Sequence, residues 1–354
     1  MINVVINNEL LNRIIEIEKN SNKVKELRVP ISIANRLRKN SKKMSSYASV
    51  KIEGNPLNQK QADKAIEDKN RHFLKPEQEV RNYYQALEEL EYELKKNTKF
   101  SKELVLKIQK IVVKGESKEK IGIRGPMPPG FIFAVYDEKT GKPEYIPPEY
   151  SDVEKLLDEL IDYVNYDDDH PIIKAALVHY QLVTIHPFED GNGRTARLMS
   201  QYILDYYGYN FKNLGSLEEY YMYNQEEYYN SLQMGLPVLY YDGRNDPPHI
   251  EIWVSYFLRM LELYSIGVIN SITQNSDDKI EKLLSHLNKK ERAFYYYLKD
   301  NDIETFAPID VAKDLGVTNR TIINWSSSLC KNGLLKPNIV KDRIRKYTLV
   351  DINN

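Results

Sequence analysis

His186-Pro187-Phe188-Glu189-Asp190-Gly191-Asn192-Gly193-Arg194-Thr195-Ala196-Arg197 brings a base, a carboxylate, a glycine-flanked turn and two arginines into one short run. Gly191 and Gly193 permit backbone conformations barred to other residues, so several amide N–H groups can converge on one anion. Asn192 between them tolerates the left-handed region. From Arg194 to about Tyr207 the apolar residues Leu198, Met199, Tyr202, Ile203 and Tyr206 follow helical spacing, so the turn opens directly into a helix. An anion at that turn meets free N–H groups and the positive end of the helix dipole.

The charged side chains suit the same anion. Arg194 and Arg197 are three residues apart on the first turn of the predicted helix and can both clamp phosphate oxygens. Asp190, just before the turn, suits a magnesium ion that bridges phosphates. His186, with an ordinary pKa of about 6.5, can take a proton from an attacking hydroxyl near neutral pH.

The segment resembles the signature of Fic-domain proteins, His-Pro-Phe-x-Asp/Glu-Gly-Asn-Gly-Arg-x-x-Arg, at every defined position. The resemblance implies a mainly α Fic-type core in which His186 is the general base and Asp190 the magnesium ligand. Gly191, Asn192 and Gly193 would form the phosphate nest, with Arg194 and Arg197 on the outer phosphates. The implied reaction transfers AMP from ATP, with Mg2+, to a protein hydroxyl. The intact Gly-Asn-Gly-Arg argues against the Doc-type branch, which phosphorylates its target.

A second segment, Ser49-Val50-Lys51-Ile52-Glu53-Gly54-Asn55, resembles the inhibitory motif Ser/Thr-x-x-x-Glu-Gly/Asn of one class of Fic proteins. Ser49 and Glu53 share a helical face, so the hydroxyl can orient the carboxylate, and Gly54 ends the helix. The resemblance implies that Glu53 pairs with Arg197 and displaces the outer phosphate of ATP. An ordinary helix end before Pro56 is the other reading of this segment.

Helical periodicity runs through 32–53, 59–70, 77–96, 104–113, 152–166, 170–185 and 250–272, and 218–234 is rich in tyrosine. Between them, Phe131–Tyr136 and Glu144–Ile146 flank a glycine-containing turn and read as a β-hairpin. It lies where Fic proteins carry a flap, which implies that a target protein is held there by strand addition beside His186. His179 reads as packing. In the tyrosine-rich segment, Tyr229 and Leu232 fall where the resemblance places the adenosine pocket, although Gly235-Leu236-Pro237 departs from the family's asparagine.

From about residue 276 the character changes. Residues 286–350 hold 12 Lys and Arg against 7 Asp and Glu, and three helices are expected at 289–298, 309–317 and 318–331, then two strands. This tail resembles a small winged helix-turn-helix domain. If it bound DNA, Asn319, Arg320 and Asn324 would face the major groove and Lys341, Arg343, Arg345 and Lys346 the phosphates. Protein contact is the alternative use.

Three regions are expected: an N-terminal helical region with the inhibitory helix at 1–100, a catalytic core at 101–275 and the winged tail at 276–354. Net charge is −1 over 354 residues, which carries no global bias toward nucleic acid or membrane. Cys330 is the single cysteine, so no internal disulfide forms and a reducing compartment is favoured. The opening apolar run Met1–Ile6 is too short for a secretory signal, and no stretch reads as the roughly 20 apolar residues of a membrane span. The expectation is a cytoplasmic, autoinhibited adenylyltransferase with no membrane partner, a homodimer remaining open. Two alternatives stand beside it: removal of AMP by water aligned on Glu53, and a DNA-binding regulator that senses nucleotide.

Overall fold

The structure, a computed structural model, describes residues 2–68, 71–136, 141–234, 247, 249–275, 283–340 and 343–350. Contacts divide the chain into two compact units, Met1–Glu26 with Leu37–Ile269 and Leu27–Arg36 with Asn270–Asn354.

The first unit is built around an antiparallel helix pair, α7 (Pro171–Ile185) and α8 (Asn192–Tyr206). Helix α7 is apolar on every face and almost wholly buried, as a central helix must be. Around the pair lie α4 (Lys75–Lys95), α5 (Lys102–Val112) and α6 (Tyr150–Tyr166). Helix α3 (Gln59–Glu67) packs on α4 and starts in a capping box at Asn58. The Trp253 indole of α11 (Ile250–Asn275) donates to the Ala176 carbonyl of α7 at 2.8 Å.

Helix α11 corrects one expectation: by length and composition it could cross a bilayer. Its Trp253, Val254, Phe257, Leu258 and Leu261 are fully buried in the unit, so it serves as a core helix.

Helix α1 (Asn8–Glu26) was not expected, although its buried Leu10, Ile14, Ile17, Ser21 and Val24 keep helical spacing. Helix α2 (Ile31–Ile52) ends at Gly54, whose φ of 84° needs a residue without a Cβ. The tyrosine-rich segment 218–234 forms two helices, α9 (Glu218–Tyr223) and α10 (Gln225–Gln233), because Asn224 leaves helical geometry and caps the second by accepting from the Glu227 N–H.

The hairpin is shorter than expected. Among the described residues of the hairpin, Val135–Tyr136 (β1) and Pro143–Tyr145 (β2) pair, antiparallel. Phe131 and Ile132 lie outside the strand and are exposed. The Tyr145 hydroxyl donates to the Thr184 carbonyl at 2.7 Å, which ties the hairpin to the end of α7.

The second unit runs α12 (Lys289–Asp300), β3 (Thr305–Phe306), α13 (Pro308–Asp314), α14 (Asn319–Lys331), β4 (Leu335–Val340) and β5 (Arg343–Leu349). Its antiparallel sheet has the order β3-β5-β4. Phe294, Leu298, Phe306, Ile322, Leu329 and Tyr347 form its core. Thr318 caps α14 as its sequence suggested. Strand β3 was not foreseen. Lys341 and Gly235-Leu236-Pro237 lie outside the described residues.

Candidate active site

His186 closes α7 in the left-handed conformation, φ 49° and ψ 59°, a conformation uncommon for a residue with a side chain. It turns the chain sharply into the loop that precedes α8. The loop is pinned from both sides. Arg124, itself buried, donates through Nε to the His186 carbonyl at 2.9 Å and also to the Pro148 carbonyl. The Arg124 N–H donates to the Pro187 carbonyl at 2.8 Å, and Phe188 is buried beneath the loop.

The Asn192 side chain staples the same loop. Its Oδ1 accepts from the Phe188 N–H at 3.0 Å and its Nδ2 donates to the Phe188 carbonyl at 2.8 Å. The side chain of Asn192 therefore shapes the nest, and only its backbone N–H remains for an anion.

The His186 ring has Nδ1 3.3 Å from the Val183 carbonyl. Donation from Nδ1 leaves Nε2 as the lone-pair nitrogen, the form a general base needs. Burial lowers the pKa to about 4 against the raising effect of that carbonyl, and Arg124 lowers it further. The Phe133 ring lies 6.0 Å from the imidazole.

Gly191 is the N-cap of α8 with φ 80°. A Cβ on Gly193 would fall 2.7 Å from Glu53 Oε1 and 3.2 Å from Arg197 Nη1. The close neighbour of the first turn of α8 is thus an anion, the Glu53 carboxylate. That carboxylate spans both arginines: Oε2 is 2.7 Å from Arg194 Nε, and Oε1 is 2.7 Å from Arg197 Nη2. The expected pairing of Glu53 with Arg197 is extended to Arg194.

Ser49 is placed differently from expectation. Its hydroxyl accepts from Arg197 Nε at 2.8 Å, and its carbonyl accepts from Arg197 Nη2 at 3.0 Å. It steadies the guanidinium and not the Glu53 carboxylate. Arg197 is completed by Nη1 to the Tyr228 hydroxyl at 3.3 Å. Burial works against the Arg197 charge, but Tyr228 and Glu53 outweigh it and hold the pKa above the ordinary arginine value.

Asp190 faces two cations. Its Oδ1 accepts from Arg194 Nη2 at 2.7 Å and its Oδ2 from Lys120 Nζ at 2.9 Å. Burial alone would raise its pKa; Lys120 and Arg194 overcome this and hold it below the usual range. Among the described residues no group of three His, Cys, Asp or Glu side chains converges as a metal site. A single carboxylate is nonetheless the protein share that suits magnesium when a nucleotide supplies the other oxygens.

The Tyr229 side chain is 48% exposed, and its hydroxyl donates to the Ile52 carbonyl at 3.0 Å. Leu232 sits a turn further along α10, partly buried. His179 packs against Trp253 at 4.8 Å and has Nε2 2.9 Å from the Tyr228 hydroxyl. Burial and then Arg197 keep it neutral, far below its ordinary pKa. It therefore packs, as read, and also contacts the arginine's partner.

Sequence reasoning missed Lys120, Arg124 and Tyr228. Lys120 and Arg124 stand in a glycine-rich stretch with no periodicity to mark them. Tyr228 was hidden among five tyrosines between Tyr220 and Tyr229.

Residues 99–204 match the Fic/DOC family. The protein adenylyltransferase Fic of Nematostella vectensis is 50% identical over 64 residues, 17% of this chain and 15% of that protein. The protein adenylyltransferase fic-1 of Caenorhabditis elegans is 30% identical over 156 residues, 42% of this chain and 28% of that protein. The chain thus spans less than a third of the length of either curated relative.

Among solved structures, a Fic family protein from Desulfovibrio desulfuricans G20 superposes with a TM-score of 0.65 at 20% identity, over 100% of this chain and 99% of that one. Fic-1 from C. elegans does so with a TM-score of 0.59 at 24% identity, over 75% of this chain and 74% of that one. At these identities the structural likeness speaks for the fold.

Proposed function

With a Fic domain at residues 99–204 as the premise, we propose that the chain is an autoinhibited protein adenylyltransferase that moves AMP from ATP to a hydroxyl of a target protein. The observation that carries this reading is the Glu53 carboxylate lying across Arg194 and Arg197, beside the first turn of α8. A side-chain anion occupies the ground where a phosphate would find two guanidinium groups and a helix N-terminus.

In the released state the outer phosphates of ATP take the place of Glu53 on Arg194 and Arg197. The N–H groups at Gly191–Gly193 receive phosphate oxygens. The target hydroxyl loses its proton to Nε2 of His186 as its oxygen bonds to the α-phosphorus, and the bond to the bridging oxygen breaks to free pyrophosphate. The site fits magnesium through Asp190, and the ion when bound supplies charge neutralisation along the phosphates. The hairpin β1–β2, tied to α7 two residues before His186, suits an extended target segment added as a strand.

The alternative, removal of AMP by water aligned on Glu53, uses the same carboxylate and is tested by release of AMP from a modified target. The proposal is tested by incubating the protein, Glu53→Gly and Glu53→Gly/His186→Ala with labelled ATP and magnesium. The expected result is covalent label strengthened by the first change and abolished by the second. Absence of label from all three would overturn it.

A further inference from the structure

The last four carbonyls of a helix have no partner within it, and the end of α2 shows where its own go. The Val50 carbonyl accepts from the N–H groups of Glu53 at 3.1 Å and Asn55 at 3.1 Å. The other three draw on side chains from elsewhere. Ser49 accepts from Arg197 of α8 at 3.0 Å. Lys51 accepts from Gly54 N–H at 3.0 Å and from Gln225 Nε2 of α10 at 3.2 Å. Ile52 accepts from the Tyr229 hydroxyl of α10 at 3.0 Å. Across the turn, Asn55 Nδ2 donates to the Pro76 carbonyl at 3.0 Å and to Glu79 Oε2 at 2.7 Å.

From this accounting we infer that Gln225 and Tyr229 are positioning residues for Glu53: one turn of α10 clasps the two carbonyls immediately preceding Glu53 and so aims its carboxylate at Arg194 and Arg197. The inference rests on the reading of Glu53 as the inhibitory group. Besides the clasp, the turn is held by the Asn55 side chain and by the ion pairs of Glu53 itself. Gly54 N–H bonds to the Lys51 carbonyl and Asn55 N–H reaches five residues back to the Val50 carbonyl, the paired pattern of a glycine-ended helix. The Glu53 Cα follows the Ile52 carbonyl by one peptide unit, so loss of the clasp lets the turn unwind and the carboxylate swing.

The neighbouring tyrosines divide the labour. Tyr228, with its ring 5.1 Å from that of Tyr229, touches Arg197, while Tyr229 touches the helix that carries the arginine's blocker. Helix α10, expected to hold adenosine, is therefore also the helix that holds the restraint in place.

The test uses the full chain and two readouts. Hydrogen exchange at the amides of Glu53, Gly54 and Asn55 is followed in the parent protein, Gln225→Ala and Tyr229→Phe without nucleotide. Both changes are expected to speed exchange about fivefold, the factor one ordinary hydrogen bond is worth. Incorporation of labelled AMP is then compared for Gln225→Ala with Glu53 present and in the Glu53→Gly background. The expected result is a rise of about fivefold in the first case and none in the second.

Unchanged exchange in both variants overturns the clasp, as does a rise that is equal in the two backgrounds. If even Glu53→Gly incorporates no label, the transferase reading fails while the exchange measurement still decides the clasp. Both side chains are at the surface side of α10 and substitution empties no core volume, so the variants are expected to fold.

Discussion

Arg197 and Ser49 are joined twice, through guanidinium Nε to the serine hydroxyl at 2.8 Å and Nη2 to its carbonyl at 3.0 Å. Ser49 thus fixes where the Arg197 guanidinium points, on the same helix α2 from whose end the Glu53 carboxylate reaches that guanidinium. Removing that hydroxyl loosens both the arginine and the helix end. A hydrogen bond to a charged group contributes about 1.5–3 kcal/mol. Ser49→Ala is expected to raise AMP incorporation about tenfold, less than Glu53→Gly does; initial rates with labelled ATP check this, and an unchanged rate would remove Ser49 from the restraint.

The acid limb of activity should lie low. Burial holds His186 near a pKa of about 4, below the unfolded value of about 6.5. Between these values the unfolded chain binds more protons than the folded one, so the contribution to stability is full above 6.5 and is lost as pH falls through 4. In the Glu53→Gly protein the rate of AMP incorporation is expected to stay level down to about pH 5. The His186 Cε1 proton followed by NMR should likewise titrate near 4; titration near 6.5 would show a solvated ring.

Lys120 holds the carboxylate proposed to take the magnesium ion. Its ammonium lies 2.9 Å from Asp190 Oδ2 and 3.0 Å from Glu116 Oε2. In the Glu53→Gly background, Lys120→Met is expected to lower the magnesium concentration for half-maximal labelling by several-fold. A magnesium titration of labelling measures it. Higher magnesium demand would instead place Lys120 among the phosphate contacts.

In the protein as it stands a Cβ on Gly193 would meet Glu53 Oε1 at 2.7 Å and Arg197 Nη1 at 3.2 Å. With Glu53 replaced by glycine the first contact is gone, and the methyl group stands against the guanidinium in the place proposed for a phosphate oxygen, an over-packing that costs about 1–3 kcal/mol. In the Glu53→Gly protein, Gly193→Ala is expected to weaken ATP binding by roughly tenfold or more, read by calorimetry. Undiminished affinity would move the phosphates away from this turn.

What was legible in the sequence followed from repetition. Helices α2 to α8 could be placed because their apolar residues recur at helical spacing, and the signature could be read because its residue types sit at fixed offsets. Helix α1 keeps the same spacing at Leu10, Ile14 and Ile17, but the charged and polar residues between them dilute the apolar stripe. The break at Asn224 was invisible because tyrosine is at home on either side of a helix, leaving the apolar pattern unbroken. Lys120, Arg124 and Gln225 act at the site through side-chain contacts to residues distant in sequence, and a lone residue leaves no period to detect.

The pairing of Glu53 with Arg194 and Arg197 also bears on how the chain stays folded. Both guanidinium groups are buried, and a buried cation stripped of its partner is strongly destabilising. A chain that sheds Glu53 to become active should therefore melt at a lower temperature, and added ATP, by binding only the folded form, should return much of the loss. On the proposed reading, restraint and durability are vested in one carboxylate. A lineage seeking constant activity would have to repair its fold at the same stroke, and this ties the brake to the survival of the protein that carries it.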